Sequence, residues 1–391
     1  MSGLIRTAAA LILALCLSGL AEGRELKDVR LGVNGDVSRF VLEVDDAIDY
    51  KIFSLADPYR IVIDVSETEF GSRSQGKGKG IVSHYRFGLF KAGTSRIVLD
   101  LTAPAAVKAA FVIPARDGFG HRLVIDLVPT DRAAFLAALR RPEEAAPAAP
   151  TQEARPPSEQ AAAGRRVIVI DPGHGGVDPG ASSVNGEVEK NITLRVARVV
   201  RDELERSGVY TVKLTRDRDI FIPLRDRFQI ARAAGANLFV SLHADSFKTD
   251  EVRGGSVYTL SERASDSEAE LLAAKENKAD IIAGIDLGDE PPEVSSILID
   301  LARRETMNFS AHFATILVNE LGQVMPLRRN SHRFAGFVVL KAPDVPSVLF
   351  EMGYLSNPKD AANLASAAQQ RRLAAALKSA LDQYFLKLAS H

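Results

Sequence analysis

The stretch that decides the fold of the C-terminal half is "RRVIVIDPGHGGVDPGA", Arg165 to Ala181. "RRVIVI" is a short apolar run rich in β-branched residues, the pattern of a buried strand. The next residues hold four glycines and two prolines, which neither helix nor strand absorbs, so the strand runs into a shaped loop. Working outward, "NITLRVARVVRDELERSG" (191–208) spaces apolar residues as a helix does and ends at Gly208. "VYTVKLTR" reads as a strand, "IPLRDRFQIARAAGA" as a helix, and "NLFVSLHAD" and "GGSVYTLS" as strands. "GFVVLKAP" (336–343) and "PSVLFEMG" (346–353) are also strand-like, and alanine-rich helix runs to the C-terminus. Strands alternating with helices predict an α/β domain with a mostly parallel central sheet flanked by helices over 166–391.

The N-terminal half follows another rule. "RFVLEV" (39–44), "RIVIDV" (60–65), "RIVLDL" (96–101) and "RLVIDL" (122–127) repeat one pattern of basic, apolar, Val, apolar, acidic, apolar. Period two places three apolar residues on one face and Arg, Val and the acid on the other. Turn-rich pieces separate these runs, so 25–129 is predicted to be an all-β sandwich of two sheets. His84 and His121 stand alone there and read as surface residues. Residues 131–165 are rich in Pro, Ala and charge and read as a semi-extended linker.

Residues 1–23 carry one positive charge and then an unbroken apolar run with small residues after it. That is the pattern of a secretory signal peptide. Cys16, the single cysteine of the 391 residues, lies within it, so the mature chain is expected to lack disulfides and thiolate ligands. Export without disulfides fits the periplasm of a Gram-negative bacterium. A net charge of −1 argues against nucleic-acid binding.

The α/β half contains His174, His243, His312 and His332. His174 and His243 directly follow hydrophobic strands, and ligands in open α/β sheets bind at the carboxyl ends of the strands. These two are expected to meet. His312 lies in the helical stretch "NFSAHFATILVNEL" and reads as packing or surface; His332, in "RRNSHRFAG", reads as an exposed loop residue. Two histidines and a carboxylate form a hydrolytic zinc site with a position open for water. From the residues alone the carboxylate is Glu187 or Glu189 of "VNGEVEKNITL". Glu351, near the end of the apolar run "PSVLFEMGYLSN", must be paired, protonated or close to a cation. Asp171 and Asp245 sit beside the two histidines and are candidates to orient an imidazole or to cap the loops.

Four motifs in order, "VIDPGHGGVDPGA", "GEVEKNITL", "NLFVSLHAD" and "PSVLFEMGYLSN", resemble the zinc-dependent N-acetylmuramoyl-L-alanine amidases of the amidase-3 type, as in the AmiA, AmiB and AmiC group. The resemblance covers roughly 166–387, and 25–129 resembles the AMIN domain, linked in such amidases to cell-wall targeting. It implies one zinc held by His174, Glu189 and His243, with Glu351 as the catalytic glutamate. It implies cleavage of the amide between N-acetylmuramic acid and L-alanine in peptidoglycan, for septal wall splitting. It further implies that an inserted helix, about 278–303, covers the site, with Glu290 or Glu293 reaching the open zinc position, and that a LytM-domain activator displaces it. The protein is expected to be a monomer. A zinc peptidase cutting within the stem peptide and a non-catalytic peptidoglycan-binding scaffold are the alternatives.

Overall fold

The computed structural model describes residues 24–71, 74–139, 165–285 and 297–389, and the side chains of these except 297–302. The expected signal segment and most of the expected linker lie outside them. No helix among the described residues is long and apolar enough to cross a membrane.

The N-terminal half is two five-stranded sheets. Its strands are β1 (Arg24–Asn34), β2 (Val37–Val44), β3 (Tyr50–Leu55), β4 (Arg60–Ser66), β5 (Thr68–Glu69), β6 (Gln75–Lys77), β7 (Val82–Lys91), β8 (Thr94–Leu101), β9 (Ala105–Ile113) and β10 (His121–Pro129). The orders are β5-β1-β2-β10-β9 and β3-β4-β8-β7-β6. The repeated hexapeptides are β2, β4, β8 and β10, and their alternation holds in detail. Phe40, Leu42 and Val44, Ile61, Ile63 and Val65, Ile97, Leu99 and Leu101, and Leu123, Ile125 and Leu127 all lie in the one core between the sheets. The outer faces carry Arg and acid, paired across strands as Arg39 with Asp126 at 2.7 Å and Arg96 with Asp64 at 2.6 Å. A short helix, α1 (Arg132–Leu139), follows where the composition predicted linker. Phe135 anchors it edge-on to Tyr59, an aromatic contact that the surrounding alanines and charges conceal.

The C-terminal half is one six-stranded sheet of order β12-β11-β13-β16-β14-β15. The strands are β11 (Arg166–Pro172), β12 (Tyr210–Leu214), β13 (Leu238–His243), β14 (Gly255–Leu260), β15 (Leu327–Ala335) and β16 (Ser347–Glu351). Neighbours run parallel except β14 against β16. The helices are α2 (Glu189–Arg206), α3 (Leu224–Ala233), α4 (Ser267–Glu276), α5 (Ala279–Ile282), α6 (Ile297–Leu321), α7 (Pro358–Ala365) and α8 (Ala367–Leu388). One core lies between the sheet and α2, α6 and α8. The second, on the other face, is closed by α3, α4 and α5 and also by Leu55, Val62 and Val98 of the β domain. The two halves therefore share a core.

One edge of the sheet departs from the sequence reading. The last strand is Leu327–Ala335, and the apolar run after it forms a 3₁₀ turn at Val338–Leu340 instead of a strand. Val339 and Leu340 are buried in the second core, so their hydrophobicity reports packing against helices and not sheet pairing. His332 is accordingly a strand residue, half-buried, with Nε2 3.1 Å from Thr259 Oγ1.

Candidate functional site

Register places the site. His243 pairs directly with Glu351 across β13 and β16, at the carboxyl ends of both strands. β11, on the other side of β13, ends at Pro172 and releases the glycine loop that carries His174. Glu189 opens α2, where an acid suits the helix dipole. All four side chains are buried.

The loop is held rigidly. Arg227 and Arg216, both buried, donate to the carbonyls of Pro172, Gly173 and His174. Gly175 and Asp178 exchange backbone hydrogen bonds of 2.9 and 3.0 Å, and His174 adopts φ 61°, a costly left-handed conformation for a residue with Cβ. A side chain at Gly173 would collide with the His243 ring 2.5 Å away, so glycine there lets the histidine lie flat on the loop. Gly175 and Gly176 let the loop backbone come close to its neighbours. A Cβ at Gly176 would fall 2.0 Å from the Leu89 carbonyl oxygen of the β domain, and one at Gly175 2.2 Å from that of Ile220.

Glu189 Oε2 lies 3.1 Å from His174 Nε2, and its Oε1 lies 3.3 Å from His243 Nδ1. The amides of Ala181 and Ala244 donate to these two oxygens and fix the carboxylate. Glu187 instead pairs with Arg195, while Glu189 is the one of the two that contacts both histidines. Glu351 Oε2 accepts from the amide of Asp245 at 3.1 Å. The residue that orients His174 is Asp178, Oδ2 to Nδ1 at 2.8 Å. Asp171 is bound up with Arg227, Thr215 and Ser241 below the loop, and the Asp245 side chain pairs with Lys275.

A fifth group completes the cluster. Glu276, the last residue of α4, places Oε2 3.4 Å from His174 Nε2 and 3.2 Å from His243 Nδ1. His174, His243 and Glu276 offer ligand atoms all within 4.8 Å of one another. Glu290 and Glu293, expected to reach this place, lie outside the described residues. The carboxylate that is there comes two residues before the expected inserted segment. A carboxylate in a helix's last turn opposes the helix dipole. That position in "SEAELLAAKEN" was the signal available in the sequence.

The donor chemistry fits a divalent cation. His174 Nε2, His243 Nδ1, Glu276 Oε1 and Glu351 Oε1 are buried without hydrogen-bond partners. Burial opposes protonation of His174, yet Glu189, Asp178 and Glu276 outweigh it and hold the imidazole well above its usual range. His243, against the same burial, is pushed up to about 10 by Glu276 and Glu189. Burial would raise Glu189, but His174 and His243 hold it well below the carboxylate range. Burial, with Asp245, Glu189 and Glu276 adding to it, holds Glu351 well above that range, while His243 opposes. Such a pocket attracts positive charge, and two histidines with a carboxylate are a hydrolytic zinc donor set. His312 is on the exposed side of α6 near Tyr384, and His332 is on β15; neither joins the cluster.

Carboxylates and imidazoles gathered at the strand ends of an α/β sheet are a donor set suited to a hydrolase. Comparison with known proteins carries this further. Residues 168–383 match the N-acetylmuramoyl-L-alanine amidase family, and residues 28–128 match the AMIN domain. The amidase AmiC of Neisseria meningitidis is 34% identical over 363 residues, covering 89% of this chain and 86% of that protein. AmiC of Escherichia coli O6:H1 is 32% identical, covering 96% of this chain and 93% of that protein. AmiA of Escherichia coli K12 is 40% identical over 230 residues, covering 59% of this chain and 79% of that protein. The chain belongs to the N-acetylmuramoyl-L-alanine amidases, with an AMIN domain ahead of the peptidoglycan-hydrolysing half.

Proposed function

We propose that the protein is a zinc-dependent, self-inhibited amidase of the Gram-negative periplasm that opens septal peptidoglycan when a LytM-domain activator engages it. The observation that carries the zinc assignment is that His174, His243 and Glu276 offer ligand atoms within 4.8 Å of one another, with His174 Nε2 and His243 Nδ1 buried and without hydrogen-bond partners. His174, Glu189 and His243 would hold the ion. When bound, zinc supplies Lewis acidity toward the substrate carbonyl and lowers the pKa of an attacking water. Glu351 takes that water's proton at its free Oε1 and returns it to the leaving L-alanine amine. Its other oxygen stays on the Asp245 amide, which keeps the carboxylate aimed throughout. Asp178 keeps the proton of His174 on Nδ1, so that Nε2 presents its lone pair.

Glu276 stands where substrate or water must come. The self-inhibited reading rests on its contacts with both histidines and moves that role from Glu290 and Glu293 to Glu276. The test is digestion of purified cell wall by the full chain and by Glu276→Ala, each with zinc added and with chelator. The expected result is release of intact stem peptides from free glycan, abolished by chelator and stronger in Glu276→Ala. Products cut within the stem peptide would overturn the amidase reading, and equal rates would overturn the inhibition.

A further inference from the structure

The β domain touches the segment that carries Glu276. Three arginines of its β4, β7 and β8 sheet converge on the four consecutive carbonyls at the end of α5. Arg60 donates to Ile281, Arg86 to Ile282 at 2.8 Å, and Arg96 to Ala283 and Gly284 at 3.2 and 3.1 Å. These carbonyls end a helix of one turn, and of the four that of Ile281 also accepts the Gly284 amide. Arg60 and Arg96 are almost fully buried. Arg86 and Arg96 are braced by Asp100 and Asp64 on the same sheet, and Phe90 stacks on Arg96 with its centroid 3.5 Å from the guanidinium carbon. Beside them Val62 and Val98 pack on Gly284, where even a Cβ would come within 2.9 Å of Val62. In β4 and β8 the Arg and Val positions of the hexapeptide repeat are therefore an interface.

The contact reaches the site through a few residues. Lys275 is tied to Asp245, Asn277 to Gly336 and Val338, and Asp280 to the Leu224 amide. A cavity of about 210 Å³ next to the site is lined by Gln75 and Arg86 of the β domain together with His174, Asp178, Lys275 and Glu276. Elsewhere the domains meet backbone to backbone. Phe221 donates to the Leu89 carbonyl at 3.1 Å, and a Cβ at Gly88 would fall 2.1 Å from the Gly176 carbonyl carbon.

We infer that the β domain is the second half of the lock: its arginine face clasps residues 281–284 and so holds Glu276 against His174 and His243. Undocking of the β domain and departure of Glu276 are thermodynamically linked, so whatever favours one favours the other. This inference rests on the self-inhibited reading above.

The test uses the full chain in three forms: Arg60→Gln/Arg86→Gln/Arg96→Gln, Gly88→Leu and Glu276→Ala. Gly88→Leu wedges the domains apart without replacing any of the three arginines, which guards against the triple variant unfolding the β sandwich. Circular dichroism and a thermal melt verify folding. The readouts are hydrogen exchange of amides 276–285 against the strand amides 168–171, and basal wall digestion. The expected result is faster exchange confined to 276–285 and basal digestion raised about 5- to 150-fold, the usual span of coupling between sites. Folded Gly88→Leu with wild-type exchange and digestion, while Glu276→Ala is activated, overturns the clasp and leaves the inhibition standing. Wild-type digestion in Glu276→Ala overturns the inhibition and the clasp with it.

Discussion

Replacing Asp178 isolates the contribution of one buried hydrogen bond to metal affinity. Its Oδ2 holds His174 Nδ1 at 2.8 Å and its Oδ1 accepts the Gly180 amide, both out of water. A hydrogen bond to a charged group contributes about 1.5–3 kcal/mol, against about 1 kcal/mol for a neutral one. Asp178→Asn keeps one acceptor oxygen for His174 but removes the charge and turns its amide NH2 toward the Gly180 N–H, a loss of about 1–1.5 kcal/mol, or roughly tenfold in zinc affinity. Asp178→Ala removes the bond outright and leaves His174 free to change tautomer, a loss of about 2–3 kcal/mol, approaching 100-fold. Competition against a chromophoric chelator, at fixed pH, measures both. The order wild type, Asn, Ala is the essential result. Asp178→Ala binding zinc as tightly as wild type would refute the claim that this carboxylate sets the ligand's orientation.

Two further outcomes follow from the same geometry. Glu351→Gln retains zinc by the same titration but loses about 10²- to 10⁴-fold in wall digestion, the contribution of a positioned general base; retention of full turnover excludes Glu351 from proton transfer. Asp171 governs acid stability: burial would raise its carboxyl, but Arg227, Thr215 and Ser241 hold it below its ordinary value. Its stabilisation is therefore complete above the unfolded value, about 3.9, and is lost as pH falls through the folded one. Asp171→Asn strands the buried Arg227 charge at a cost of about 3 kcal/mol, lowering Tm by about 6–12 °C at pH 7 and flattening the melt's acid dependence. An unchanged Tm refutes that account.

Much of this was legible in the sequence, for a local reason. A strand whose side chains are buried on both faces is a continuous apolar run, and the residue at its carboxyl end is the one exposed to a ligand, so His174, His243 and Glu351 announce themselves. The hexapeptide alternation likewise sorts the sandwich core residue by residue. What stayed hidden depends on distant contacts. Glu276 becomes a site residue only because α4 crosses above the strand ends. Asp178 outcompetes Asp171 for His174 because the tight turn at Gly175 folds the loop back on itself. Val339 and Leu340 look like strand and pack as a turn because helices fill that side of the sheet. The second use of the Arg, Val and acid face could not be read at all from a pattern that also fits a solvated surface.

The division of the metal cluster between sheet and helix also shapes how the enzyme can vary. His174, Glu189, His243 and Glu351 are set by strand ends, a loop pinned by Arg216 and Arg227, and the start of α2. Glu276 alone comes from the far end of a short helix. Substitutions that destroy activity have the whole sheet as their target, because any shift there misplaces several donors together. Under the proposed inhibition, substitutions that make the enzyme overactive have a far smaller target, the few residues from α4 to Gly284 and the surface that grips them. Under that proposal, loss of function and loss of restraint occupy different parts of the molecule.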